Sequence, residues 1–200
     1  MQLNWQHIQT QSSRSYTCGY CGNPLASEKG YFAQRSDTGH PSVWIYICHH
    51  CLKPTYFDID GIQTPGARLG GDVTGINEQN VADLYDEARD SYSVNAFTST
   101  VLCCRKLLMH IAVSKGAQPN LKFIEYVEYL SQNNYIPPDA KDWVDHIRSK
   151  SNEANHEIVI MKEEDAKDLI SFIEMLLKII YEFPANIKKK TAKPVLEITQ

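Results

Sequence analysis

Two hundred residues with 42% apolar and 22% charged side chains form an ordinary globular composition, sufficient for one or two domains. No window approaches 18 uncharged apolar residues, which excludes a membrane-spanning helix, and a net charge of −4 excludes a strongly basic nucleic-acid grip. The polar opening MQLNWQHIQTQSSRSYT lacks the apolar run of a signal peptide, so the expectation is a cytoplasmic chain.

The charge is uneven. Residues 1–75 carry five basic and five acidic side chains; residues 76–184 carry eleven and eighteen, a net of −7; residues 185–200 carry four Lys and one Glu, a net of +3. The middle block alone repels a phosphate backbone, so any nucleic-acid contact falls to the first block, the tail or a local patch.

Residues 1–62 read as short strands around cysteine turns. VWIYI, 43–47, is β-branched and aromatic, and TYFDID, 55–60, alternates apolar with polar. Between them CHHCLKP is too tight for anything but a turn, so a hairpin tipped by a cysteine knuckle is predicted. Cys18-x-x-Cys21 is followed 27 residues later by Cys48-x-x-Cys51. Two such pairs are a zinc signature, because tetrahedral zinc takes four thiolates at about 2.3 Å and each knuckle supplies two. Gly19 and Gly22 suit a turn that aims backbone amides at sulfur. Two disulfides are the alternative, disfavoured in a cytoplasmic chain; redox chemistry suits a single pair better. His40, His49 and His50 are alternative ligands. Four Cys ligands close the coordination shell, which makes the predicted zinc structural. The aromatics of this block, among them Tyr16, Tyr20, Tyr31, Phe32, Trp44, Tyr46, Tyr56 and Phe57, form either the ribbon's own core or a base-stacking platform.

Residues 63–76, rich in Gly, read as a linker. Residues 77–184 then read as about five helices: roughly 78–91 with Asn77 as N-cap, 93–114 stopped at Gly116, 120–132 closed by NNYIPP, 138–156, and 163–182 ended by Pro184. The last carries an apolar stripe through Ala166, Leu169, Ile170, Ile173, Leu176, Leu177 and Ile180. Short connections predict an antiparallel bundle. Cys103 and Cys104, adjacent on one helix, read as buried small residues. Arg105 falls beside Phe97, Val101, Leu108 and Ala112, on the apolar face of its helix, and calls for a partner such as Glu87 or Asn152. Arg148, Asn152 and His156 form a stripe spread over about 80° on the fourth helix, away from Trp143, Ile147 and Ala154. The stripe is an active surface, a dimer contact or a solvated face. The tail 185–200, with NIKKKTAKP, complements a helix C-terminus or contacts phosphate.

The segments YDEARDSYSVNAFTSTVLCCRKLLMHI, DWVDHIRSKSNEANHE and KEEDAKDLISFIEMLLKIIYE occur in an order that resembles the bacterial domain-of-unknown-function family 4145 over about residues 80–182. The resemblance implies a HEPN-like helical domain, often preceded by a Cys-x-x-Cys zinc module, and an anti-phage defence or nucleic-acid-processing setting; no general activity comes with it. HEPN ribonucleases use an Arg, a polar residue, three more residues and a His, usually across a dimer interface. His156 and Asn152 match the His and the polar residue, but Ser151 stands at the Arg position and cannot stabilise a phosphorane as a guanidinium does. The candidate catalytic residues are therefore His156, Asn152, Arg148 and Arg105, the last also in a literal Arg-x-x-x-x-His with His110.

The expectation is an α+β protein: a small β zinc ribbon with metal ligands Cys18, Cys21, Cys48 and Cys51, then an antiparallel HEPN-like bundle. The expected role is a non-catalytic accessory or regulatory one, as a homodimer that contacts RNA, DNA or a defence-system protein. A metal-independent ribonuclease and an interaction scaffold without nucleic acid are the alternatives.

Overall fold

The structure, a computed structural model, describes residues 4–137 and 160–191. Its architecture is α+β, an antiparallel sheet followed by helices. Two compact units divide the described residues: one comprises those up to Leu69 together with Asp90–Ala96, the other Gly70–Arg89 and those from Phe97 onward.

The sheet is a meander in the order β1 (Gln9–Thr17), β2 (Pro24–Gln34), β3 (Pro41–Ile47), β4 (Pro54–Phe57) and β5 (Gln63–Thr64), every pair antiparallel. The expected hairpin over 43–60 is β3–β4. The segment read as linker begins with β5, where Gln63 pairs with Phe57 and Thr64 with Tyr56. Inside the sheet unit Phe57 packs edge-on against Tyr16 and Tyr46, with centroids 5.3 and 5.7 Å apart. The Arg14 guanidinium lies 4.1 Å from the Phe57 centroid. These rings form the small aromatic core that a short meander needs.

The helices are α1 (Gln79–Ser93), α2 (Phe97–Ser114), α3 (Phe123–Gln132) and α4 (Glu163–Leu177), the last continued by a π-helical turn over Lys178–Glu182 and then α5 (Phe183–Thr191). Three of them stop in the same way. After α1 the Ala96 N–H reaches Ser91 O and Asn95 N–H reaches Tyr92 O; after α2 Ala117 reaches Ala112 and Gly116 reaches Val113; after α3 Tyr135 reaches Leu130 and Asn134 reaches Ser131. The turning residues Asn95, Gly116 and Asn134 have φ of 62°, 104° and 61°, on the left-handed side. Gly and Asn are the residues that adopt this conformation at least cost, so these Schellman ends are written locally.

Both α3 and α4 begin with a carboxylate turned back on the chain: Glu125 accepts from Lys122 N–H at 2.6 Å, and Asp165 from Lys162 N–H at 3.0 Å. Asn77 caps nothing; the α1 start is bonded instead through the Glu78 carbonyl, which accepts from Val81 and Ala82. The stripe of α4 is buried as expected at Ala166, Leu169, Ile170, Ile173, Leu176 and Leu177, with Phe172 added, and α2 packs against both α3 and α4.

Pro184 does not end the last helix. It is the second residue of α5, just after the π turn, where Phe183 N–H bonds back to Lys178 O. A proline has no N–H to give and its ring crowds the preceding turn. The wider π turn relieves both demands, and the helix runs on to Thr191. The fourth expected helix, 138–156, and the end of the basic tail lie outside the described residues.

Candidate metal centre

The meander decides where the cysteines go. The β1–β2 and β3–β4 hairpins turn at the same end of the sheet, and the β2–β3 connection turns at the other. Cys18 and Cys21 stand at the first tip, between Thr17 and Pro24, which pair; Cys48 and Cys51 stand at the second, between Ile47 and Pro54, which also pair. The two knuckles have one backbone pattern. Cys18 N–H donates to Asn23 O at 3.0 Å and Gly22 N–H to Cys18 O at 2.9 Å; Cys48 N–H donates to Lys53 O at 3.1 Å and Leu52 N–H to Cys48 O at 2.9 Å.

In each knuckle the residue after the second cysteine is left-handed, Gly22 at φ 69° and Leu52 at φ 59°. Glycine takes this conformation freely, while leucine is held there at a cost of about 1–2 kcal/mol. Gly19 has a different role from Gly22: a Cβ on it would stand 2.3 Å from Gly66 O, so the first knuckle backs directly onto the chain beyond β5.

The four sulfurs lie within 4.8 Å of one another and could hold a metal ion. Cys18 Sγ is 3.7 Å from Cys51 Sγ, and Cys21 Sγ is 3.8 Å from Cys48 Sγ. A regular tetrahedron with metal–sulfur bonds of about 2.3 Å has edges of about 3.8 Å. A disulfide needs about 2.05 Å, and all four cysteines are free. Cys18 and Cys48 are fully buried against Leu25, and Cys21 and Cys51 are partly buried.

Tyr20 N–H and Asn23 Nδ2 donate to Cys18 and Cys21 sulfur, each at 3.4 Å. Against the desolvation that would raise it, hydrogen bonds from the backbone and side chain of Asn23 draw the Cys21 thiol down to about 7. Burial pushes Cys51 up to about 12 and raises Cys18. One thiol of the set thus ionises readily and two resist, and a bound cation would offset the desolvation that holds those protons on.

The histidines do not belong to the quartet. His40 is in the β2–β3 connection, where its carbonyl accepts from Arg35 N–H, at the far end of the sheet. His49 and His50 are exposed in the second knuckle with their rings 4.3 Å apart, and neither joins the group of possible ligands.

In the helical unit, Arg105 is half-buried on α2 with its guanidinium 4.4 Å from the Phe123 ring centroid, and burial lowers its pKa. It pairs with neither Glu87 nor any other described carboxylate. His110, its partner in the literal Arg-x-x-x-x-His, is engaged with Glu78 at 2.9 Å. Cys104 is fully buried and Cys103 half-buried, both with thiols raised by burial. Arg148, Asn152 and His156 lie outside the described residues.

Among the described residues the buried arginine is Arg89, which sequence reasoning passed over. Its guanidinium meets Asp72 at 2.8 Å, Asp86 at 3.2 Å and the Gly70 carbonyl at 2.9 Å, with the Tyr85 ring beside it. The signal was present: Arg89 follows Val81 and Tyr85 at helical spacing, on the buried stripe of α1.

The fold and the centre together define an α+β protein whose sheet unit presents four cysteines able to bind a metal ion. The family model described as Domain of unknown function (DUF4145) matches residues 86–194, and the chain belongs to that family. No curated protein and no solved structure matches the chain.

Proposed function

We propose that this chain is a zinc-binding accessory or regulatory protein, without catalytic activity of its own, that binds nucleic acid or a partner protein. The observation that carries the reading is the pair of equivalent knuckles on neighbouring hairpin tips, with thiols at single-ion tetrahedral spacing. An all-thiolate set suits zinc and, by the same softness, iron. Four protein ligands leave no open position for substrate, so the ion's role is structural.

Around this centre the reading takes the first 62 residues as a zinc ribbon and the helices as a HEPN-like bundle. Homodimerisation and a bacterial defence or nucleic-acid-processing setting come with the family resemblance, and a cytoplasmic location with the polar opening of the sequence.

Metal analysis of freshly reduced protein tests the centre. About one zinc per chain is expected, lost in Cys48→Ser; a coloured protein holding iron would overturn zinc, and a metal-free, folded protein would overturn the centre. Incubation with mixed RNA tests the absence of catalysis: cleavage by the wild type that disappears in His156→Ala would overturn it.

A further inference from the structure

Beside the metal centre the sheet unit has a groove of about 570 Å³, within the about 300–1,000 Å³ of small-ligand sites. Every residue that lines it belongs to that unit. The first knuckle contributes Tyr20, the second Lys53, and β4 contributes Tyr56; Arg68 and Asp90 close it.

The rings of this unit divide into two kinds. Tyr16, Tyr46 and Phe57 are packed on one another, Trp5 meets Tyr31, and Trp44 lies near the Arg14 guanidinium. Tyr56 is 40% exposed, and its ring meets no described ring or cation. Tyr20 is 38% exposed, and its ring meets Lys53 alone, with Nζ 4.7 Å from the centroid. Phe32, also exposed, does not line the groove.

The charges are as uneven as the rings. Asp90 is paired with Arg68 at 2.5 Å, while Lys53 meets no carboxylate among the described residues. The groove therefore offers two aromatic surfaces, two tyrosine hydroxyls without a described hydrogen-bond partner, and an ammonium with no counter-ion. An apolar protein segment would use only the apolar part of this set. A nucleobase followed by its phosphate uses all of it: the ring stacks, the base edges meet the hydroxyls, and the phosphate meets Lys53.

We infer that this groove binds single-stranded nucleic acid, one base stacked on Tyr56 or Tyr20 and the adjoining phosphate held by Lys53. The inference rests on the nucleic-acid branch of the function proposed above and gives it a site. Because two of the three side chains are within or beside the knuckles, the metal centre would fix their spacing.

The test is fluorescence anisotropy of the full-length, zinc-loaded protein with labelled oligouridylate and oligothymidylate of about ten nucleotides, at several salt concentrations. Wild-type binding should weaken steeply with salt. Tyr56→Ala and Tyr20→Ala should each lower affinity about 5- to 100-fold. Lys53→Glu should lower affinity and flatten the salt dependence, and Phe32→Ala should bind as the wild type. Unchanged zinc content and circular dichroism would establish that each variant is folded.

Wild-type binding that survives all three groove substitutions would overturn the groove and leave nucleic-acid binding standing. Absence of wild-type binding to either oligomer would overturn both. A free mononucleotide that competes at the oligomer's own concentration would overturn a strand as the occupant. The ratio of the two oligomer affinities assigns the strand as RNA or DNA, and tight binding of either with the expected variant losses supports the site.

Discussion

Arg89 is nearly withdrawn from water, its side chain 7% exposed, but its carboxylate partners are not: Asp72 is 92% exposed and Asp86 53%. The ion pairs are therefore well screened and contribute little each. The larger part of what holds Arg89 is its packed stem, the ring of Tyr85 and the Gly70 carbonyl. Asp72→Asn should accordingly cost under about 1 kcal/mol, and Arg89→Ala about 2–3 kcal/mol, because it leaves a carbonyl unbonded and a gap beside Tyr85. Chemical denaturation of the three proteins checks the order, and equal losses would place the stabilisation in the ion pair instead. The helical wheel drew attention to Arg105, which indeed lies partly out of water. It could not show that residues 70–72 fold back onto α1, since that contact is not periodic. Gly22 offers a purer case: a Cβ there would meet nothing within 4 Å, so Gly22→Ala should lose about 1–2 kcal/mol through φ alone, read as a lower thermal midpoint of the metal-loaded protein.

The ends of α2 and α3, at Gly116 and in NNYIPP, and the knuckles were legible in the sequence because they are decided within a few residues. Asn134 is exposed and left-handed at the end of α3, so Asn134→Ala should cost about 1 kcal/mol while Asn134→Gly stays near neutral; thermal unfolding of the two variants separates backbone strain from any side-chain effect. The Cys-x-x-Cys spacing likewise announced two tight turns. Their convergence depends on a further fact, that β2 and β3 pair as neighbours and so place both hairpin tips at one end. The π turn ahead of Pro184 was not legible, because its widening answers a local crowding that propensity and periodicity do not register. β5 escaped for a similar reason: two residues of strand carry too little pattern to distinguish them from a linker.

At the scale of the molecule, tyrosines in the helical unit predict an alkaline limit. Burial first, and the charge and hydrogen bond of Glu78 second, push Tyr181 up to about 12, and burial raises Tyr85 further. A phenol whose folded pKa exceeds its unfolded value stabilises the fold below the unfolded value. That stability is lost as pH rises from about 10 through the folded pKa, since the unfolded chain ionises first. Stability should therefore fall above about pH 10, with tyrosinate absorbance appearing together with unfolding, and Glu78→Gln should lower the pKa of Tyr181. The acid side has the opposite sign. The hydrogen bond from His110 holds the Glu78 carboxyl below its ordinary range, so its small contribution is present at neutral pH and fades as pH falls through the folded value. The sequence by itself determined what short range can decide: the α+β order, the four thiols, the helix stops at Gly116 and Asn134 and the buried stripe of α4. Only the tertiary structure decided that Arg89 is buried, that the rings of Tyr20 and Tyr56 remain open and that Lys53 beside them meets no described carboxylate. Those depend on segments far apart in the chain meeting in space, and neither spacing nor composition encodes which of several chemically similar residues will be covered.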